Sequence, residues 1–397
     1  MVEWKEYRIK DLGEVVTGNT PPTSNREYYG TEYKFIKPTD MVEGQRFVST
    51  TEEYYSELAY QKYKKCLLPP KTPCVVTIGS LGKKMCLTDT ECFTNQAVNA
   101  VIPNKENDGE FLYYAFKASV LAYVKQLDSG TTSGRENVSK SSFSKIKVRV
   151  PPLPTQQKIA SILSAYDNLI QNYKKQIEAL QTAASELYKE WFVRFRFPGY
   201  KNSRFENGIP EGWKVEKLFD VAKIIYGYPF NSDEFCDDSS LNPVVRIRDI
   251  LDNYTNTYTS ETCDEKYWIN PNEMLIGMDG IFHMSLWTGK RALQNQRTVR
   301  VTSKVKNLSN YYLYFSLYPQ IKALEQMIVG TTVAHLGDKH IKKITILIPE
   351  DKILKMSFER LEPIMNRIYS LQQQITNLTQ QRDLLLPRLM SDKLEVE

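Results

Sequence analysis

The chain carries one pattern twice. Residues 4–18 read WKEYRIKDLGEVVTG and residues 213–227 read WKVEKLFDVAKIIYG. Superposed without a gap, they pair Trp4 with Trp213, Lys5 with Lys214, Asp11 with Asp220 and Gly18 with Gly227. Four apolar positions follow: Ile9 with Leu218, Leu12 with Val221, Val15 with Ile224 and Val16 with Ile225. In the same register Ile36-Lys37-Pro38-Thr39-Asp40 falls on Val245-Arg246-Ile247-Arg248-Asp249. Further along the register drifts, as unequal loops require. Asn95-Gln96 then falls on Asn295-Gln296, and Gly130-Thr131-Thr132 on Gly330-Thr331-Thr332. Each half closes on a strand-like alternation before a proline, KIKVRVP at 145–151 and KITILIP at 343–349. Matches kept in one order mark a duplicated unit. A single core also stops growing near ~250 residues, so 397 residues are expected to form two related globular halves.

Each half mixes short β-type runs, such as Cys74 to Ile78 and Ala97 to Ile102, with aromatic helical stretches such as Phe111 to Val124. What lies between the halves is different in kind. No Gly or Pro occurs from Thr155 to about Arg194, and apolar or small residues recur by fours and threes: Ile159, Leu163, Tyr166, Ile170, Tyr173, Ile177, Leu180, Ala184, Leu187 and Trp191. That is the seam of a coiled coil. The C-terminal segment repeats it through Leu361, Ile364, Ile368, Leu371, Ile375, Leu378, Leu385 and Leu389, with Arg382 as the polar exception and Pro363 predicting an early turn or kink. Leaving such side chains in water forgoes roughly 1.5–3 kcal/mol each, so the two seams are expected to pack on each other. The expected class is α+β: two similar mixed α/β domains in a pseudo-twofold arrangement, separated by two long antiparallel helices forming a coiled coil. The boundaries predicted are 1–150, 151–198, 199–349 and 350–397.

Composition excludes more than it selects. Hydrophobic residues at 41% and charged residues at 25% describe an ordinary folded protein. No run of ~18 apolar residues is present to span a bilayer, and the opening Met1 to Glu6 lacks the basic-then-apolar order of a secretory signal. A cytoplasmic protein with no membrane partner is expected. The net charge is +5, with +3 in residues 1–150, +2 in 151–200 and zero in each of the two remaining segments. Affinity for nucleic acid would therefore rest on how charge is arranged over a face, or on a partner's charge. The six cysteines form no C-x-x-C pair and the first four have no histidine nearby, so buried reduced thiols fit better than a zinc site. A phosphate-binding motor loop, the Asn/Asp-Pro-Pro-aromatic tetrapeptide of adenine methyltransferases and a P-D-x-(D/E)-x-K nuclease cluster are not found. The three histidines fall in the second half only, so the duplicated halves share no histidine chemistry. No catalytic residue and no metal ligand is predicted.

Four stretches carry a family likeness. They are Pro151-Pro152-Leu153-Pro154-Thr155-Gln156-Gln157-Lys158-Ile159-Ala160 ahead of the seamed helix, and its exit Leu187-Tyr188-Lys189-Glu190-Trp191-Phe192. With them go the link Gly208-Ile209-Pro210-Glu211-Gly212-Trp213-Lys214 and the ending that runs from Arg382 to Ser391. Together they resemble the conserved regions of the specificity subunits of type I restriction–modification enzymes, and the likeness covers essentially the whole chain. It implies two target-recognition domains, each reading one half of a split double-stranded DNA sequence. The helices would act as a ruler for the spacer, since half-sites on one side of B-DNA lie about 34–36 Å apart. It also implies two methyltransferase subunits docked on the conserved regions and restriction (translocase) subunits joining them. S-adenosylmethionine, ATP and Mg would belong to those partners, with no cofactor in this chain. Pro349-Glu350-Asp351-Lys352 replaces the PPLPTQQ opening of the first half, so the second helix is expected to begin differently. A non-enzymatic DNA-binding scaffold unconnected to methylation stays open as the alternative, and so does a stand-alone nuclease or methyltransferase.

The candidate DNA-binding residues each have two readings. Thr131, Thr132 and Arg135, with Thr331 and Thr332, follow a glycine and either offer N–H and hydroxyl groups to phosphate or form a capped turn. Asn95, Gln96, Asn295, Gln296 and Arg297 are the types that bond adenine and guanine edges, yet an Asn-Gln shared by two domains equally suits a structural device. Ser80, Lys83 and Lys84 lie in a glycine-rich loop, and the second half offers Gly277 to Gly280 and, further on, Lys290 and Arg291; a phosphate contact or a solvated hairpin tip would look alike. Lys37 falls on Arg246, and Arg246 and Arg248, spaced by two along an expected strand, lie on one face that either meets DNA or keeps an edge soluble. For subunit docking the candidates are Gln156, Gln157, Tyr188, Trp191 and Phe192; the aromatic ones could instead pack on the adjoining domain.

Overall fold

The computed structural model describes residues 3–127, 137–328 and 334–391. The chain divides into two compact units, Met1–Gln171 with Leu378–Glu397, and Asn172–Asn377. Each long helix is thereby shared between the units.

In the first unit β-branched and cysteine-rich runs form an antiparallel sheet in the order Gly13–Thr17, Val98–Pro103, Pro73–Val76, Met85–Leu87. A second sheet orders Glu53–Tyr55, Tyr29–Ile36 and Cys92–Thr94, the last two parallel. Lys5–Arg8 pairs with Lys147–Val150 and ties the two ends of the half together. The second unit repeats the plan. Its main sheet runs Ala222–Tyr226, Thr298–Ser303, Met274–Gly277, Met284–Leu286. Its second sheet runs Tyr258–Thr259, Asn242–Val245, Ala292–Gln294, again with one parallel pair, and adds the short strand Trp268–Ile269. Lys214–Lys217 pairs with Thr345–Ile348 as the closing ribbon. The duplication seen in sequence is thus a duplication of topology.

The same local bond terminates the matched strands. The Lys37 N–H donates to Asp40 Oδ2 at 2.7 Å, and the Arg246 N–H to Asp249 Oδ2 at 2.9 Å. An aspartate three residues on captures the backbone and turns it. Arg246 and Arg248 therefore do not share a strand face, contrary to expectation: the strand ends at Val245, and Ile247–Asp249 is a single 3-10 turn.

The seamed segments form α1, Leu153–Tyr188, and α2, Asp351–Met390. In the first unit Ile159 and Leu163 of α1 share one core with Leu386 and Leu389 of α2 and with Phe111, Leu112 and Val148. In the second unit Ala184 of α1 and Leu361, Met365 and Ile368 of α2 join the core around Tyr312 and Leu313. There Gln176 meets Arg367 at 3.4 Å and the Arg360 guanidinium lies 5.2 Å over the ring of Trp191, just beyond α1. Partners fall along α2 as they rise along the chain through α1, so within this unit the two segments run antiparallel. Pro363 ends nothing: α2 continues through it, with buried Leu361 and Met365 holding it on either side. α2 also begins without the proline-rich opening of α1, the Ile353 and Leu354 N–H groups donating to the Glu350 carbonyl at 3.0 Å each.

Cys74, Cys86 and Cys92 are buried, and Cys74 faces Cys86 across neighbouring strands. No helix among the described residues is long and apolar enough to cross a membrane.

Candidate nucleic-acid interface

Three loops meet at the same place in both units. In the first, the Thr77 N–H donates to the Ala97 carbonyl and the Val138 N–H to the Thr77 carbonyl, each at 2.8 Å, and Ile78 bridges to Asn137. In the second, the Met278 N–H donates to the Arg297 carbonyl at 2.9 Å, the Leu336 N–H to the Met278 carbonyl at 2.8 Å, and Asp279 bridges to His335. The glycine-rich hairpin loop, the Asn-Gln turn and the segment that follows Gly-Thr-Thr are thus joined by matching backbone bonds. Thr131, Thr132, Arg135, Thr331 and Thr332 lie outside the described residues.

The matched glycines explain themselves here. A Cβ on Gly18 would stand 2.1 Å from the Thr94 carbonyl oxygen, and one on Gly227 would stand 1.8 Å from that of Asn295. Only a residue without a side chain lets the first strand come this close to the turn.

The turn divides its labour. Asn95 Oδ1 accepts the Ala97 N–H at 3.1 Å, and its carbonyl accepts the Val98 N–H at 3.1 Å. Asn295 is buried and its carbonyl accepts the Thr298 hydroxyl at 2.7 Å. Asn95 thus holds the turn with its side chain and Asn295 with its backbone carbonyl. Gln96 and Gln296 are exposed, Gln96 taking the Thr20 hydroxyl. Arg297 is exposed as well, 3.6 Å from Asp279, whose other oxygen lies 2.6 Å from His335 Nδ1.

Most of the other cations are already engaged. Lys37 pairs with Glu52 at 2.8 Å and Glu53 at 3.1 Å. Burial pulls its pKa down, but the two carboxylates outweigh this and hold it above its ordinary value. Lys84 donates to the Pro38 carbonyl at 2.8 Å. The Arg246 guanidinium lies 5.5 Å over Phe235, and exposed Arg248 is 3.7 Å from Asp249. Ser80 and Lys83 are exposed in the hairpin loop. Lys290 and Arg291 stand between Met284–Leu286 and Ala292–Gln294, where the first unit has Asp89-Thr90-Glu91. Lys290 is exposed, while Arg291 pairs with Glu265 and lies 4.5 Å over Trp268.

The docking candidates require correction. Gln156 is only 1% exposed; its amide donates to the carbonyls of Pro151 and Glu106 and to Asn107 Oδ1, and its Oε1 accepts the Asp108 N–H at 2.9 Å. It anchors the start of α1 to its own unit. Trp191 and Phe192 are buried in the second unit's core, Phe192 4.7 Å from Tyr312. Tyr188 packs on Tyr312 and Phe315, with its hydroxyl 2.8 Å from that of Ser316. Of the five, Gln157 is exposed. Sequence reasoning missed a groove of about 920 Å³ in the second unit, lined by Val193, Tyr311, Tyr314, Phe315 and Tyr318. Its signal was the tyrosine spacing in Asn310–Ile328, more aromatics than one buried helix face uses.

The profile of the family described as type I restriction modification DNA specificity domain matches residues 1–182 and 210–380. The type I restriction enzyme MjaIX specificity subunit of Methanocaldococcus jannaschii is 30% identical over the whole chain and 94% of its own length. The MjaVIII specificity subunit of the same organism is 25% identical over the same shares. In fold, the chain resembles the crystal structure of a type I restriction–modification system S subunit from M. genitalium, with a TM-score of 0.63 at 15% identity, covering 98% of this chain and 96% of that one.

Proposed function

The chain belongs to the type I restriction–modification DNA specificity family, and from that premise we propose how its two units divide the reading of DNA. It is a specificity subunit: it recognises a DNA target and directs the methyltransferase and restriction subunits, which carry the catalysis. Each unit reads one half of a bipartite duplex sequence. The observation that carries this reading is the loop junction built twice by equivalent bonds, Thr77–Ala97 and Thr77–Val138 in one unit, Met278–Arg297 and Met278–Leu336 in the other. A pseudo-symmetric reader needs two copies of one scaffold with different side chains at the tip, because phosphate contacts position a protein while base contacts specify.

The finer assignments complete the proposal. Two methyltransferase subunits bind the chain, one of them at the groove of Tyr311, Tyr314 and Tyr318. S-adenosylmethionine, ATP and Mg reside on the partners, and the assembly works in the cytoplasm. Helices α1 and α2 set the spacer between half-sites; 36 helical residues extend about 54 Å.

The test is methylation mapping in a host carrying the methyltransferase subunits with and without this chain. A split motif, adenine-methylated and dependent on the chain, is expected. Four residues inserted into each helix should change the spacer and leave both half-sites intact. A contiguous motif, or DNA binding by the chain with no methyltransferase co-purifying, would favour a scaffold unconnected to methylation.

A further inference from the structure

We infer that Arg297, held by Asp279, is the guanine-reading side chain of the second unit, and that the first unit reads its half-site without an arginine at this place. The inference rests on the proposed function and specifies how its two halves differ.

The matching backbone bonds set Ala97 opposite Arg297, and the loop bridges set Ile78-Asn137 opposite Asp279-His335. On one shared scaffold, an apolar and amide set in the first unit becomes an arginine, a carboxylate and an imidazole in the second. Two half-sites of different sequence require such a difference at a tip that the fold otherwise repeats.

Arg297 is also presented in an uncommon way. Its φ is +65°, a left-handed conformation that residues with side chains rarely adopt, whereas Ala97 does not have it. Strained backbone of this kind gathers at functional sites. The side chain is 60% exposed, and Asp279 at 3.6 Å restrains it without burying it. Asp279 is itself held by His335 at 2.6 Å, and its loop is braced where the Phe282 N–H donates to Glu325 at 2.7 Å. Arginine offers five N–H donors in a planar fork. One edge can face Asp279 while another presents the parallel pair that guanine O6 and N7 accept. The carboxylate also argues against a phosphate contact, because it would repel the backbone while leaving a neutral base edge acceptable. Arg291 and Arg246, by contrast, commit their guanidinium faces to the rings of Trp268 and Phe235.

Two substitutions in the full methyltransferase assembly test this, read out by methylation mapping and by binding to duplexes altered one base pair at a time. R297G relaxes the turn, since glycine favours the left-handed backbone, so a loss cannot be assigned to misfolding. R297K keeps the charge and removes the planar fork. Both should relax one G·C position in one half-site, cutting discrimination there about 5- to 150-fold, with the other half-site and spacer unchanged. D279N should weaken the same position to a smaller degree. The inference is overturned by a wild-type motif with no G·C pair in either half, by an unchanged motif in R297G, or by an equal loss of affinity on every duplex with R297K near wild type, which marks a phosphate contact. If the wild-type assembly methylates no split motif at all, the proposed function itself fails, and that outcome is separate from these.

Discussion

Asp167 on α1 accepts a hydrogen bond from Arg382 on α2 at 2.5 Å, and its second oxygen takes the Tyr114 hydroxyl at 2.6 Å. Arg382 is the polar exception of the second seam, and it is buried, with Asp383 at 2.8 Å as its further partner. A guanidinium inside an apolar seam is tolerated only with such partners, so the position registers the end of α2 against α1 within the first unit.

Removing Arg382 should leave the Asp167 carboxylate without its counter-charge, held by the Tyr114 hydroxyl. R382M is expected to destabilise the first unit by about 3–5 kcal/mol, and pairing it with D167L should recover most of that loss. Urea unfolding followed by fluorescence measures both. An R382M midpoint equal to wild type would show that the pair does not hold the seam.

Gln156 and Gln157 are adjacent and should behave oppositely. Q156L leaves the Asp108 N–H and two carbonyls short of partners, at a cost of about 1–3 kcal/mol for a buried group so stranded. Q157A should leave the unfolding midpoint within error. Equal effects from the two would contradict an interior Gln156.

Gly227 admits no side chain. G227A should lower stability by about 1–3 kcal/mol, as overpacking does, and should weaken DNA binding because Asn295 to Arg297 must move. Gel-shift titration beside thermal unfolding checks the two effects together; intact DNA affinity in a destabilised variant would separate the turn from the reading edge.

Burial raises the Asp249 carboxyl from 3.8 to about 6, against the opposing pull of Arg248 and the Thr255 hydroxyl. Because the folded value lies above the unfolded one, Asp249 contributes stability that is fully present below about pH 4 and fades as pH rises through about 6. D249N should flatten that part of the stability profile. Unfolding midpoints at pH 4.5 and pH 7 test it, and a difference identical to wild type would rule the titration out.

The aromatic groove makes a separate claim. Y318E and V193E place charge on side chains that are already exposed, so folding should be unaffected while methyltransferase co-purification falls. The methylated motif of whatever assembly survives should not change.

What could be seen from the sequence and what could not follows from the range of the forces involved. The duplication and the two seams were legible, because apolar side chains recurring at a helical or strand period must be buried whatever covers them. Trp4 and Trp213, or Ile159 and Leu389, declare this locally. The use of polar residues was not legible. Lys37 had the look of a DNA-binding residue until Glu52 and Glu53 reached it, and Gln156 of a docking residue until the loop at Glu106 to Asp108 closed over it. Tyr188 and Phe192 seemed spare until Tyr312 arrived from far along the chain. In the other direction, Asp279 and His335 gained meaning only beside Arg297. A hydrogen bond or ion pair depends on two groups meeting within about 3 Å, so the sequence by itself determined the scaffold and its repetition. The tertiary structure alone decided which polar groups are consumed in holding it and which are left to meet DNA.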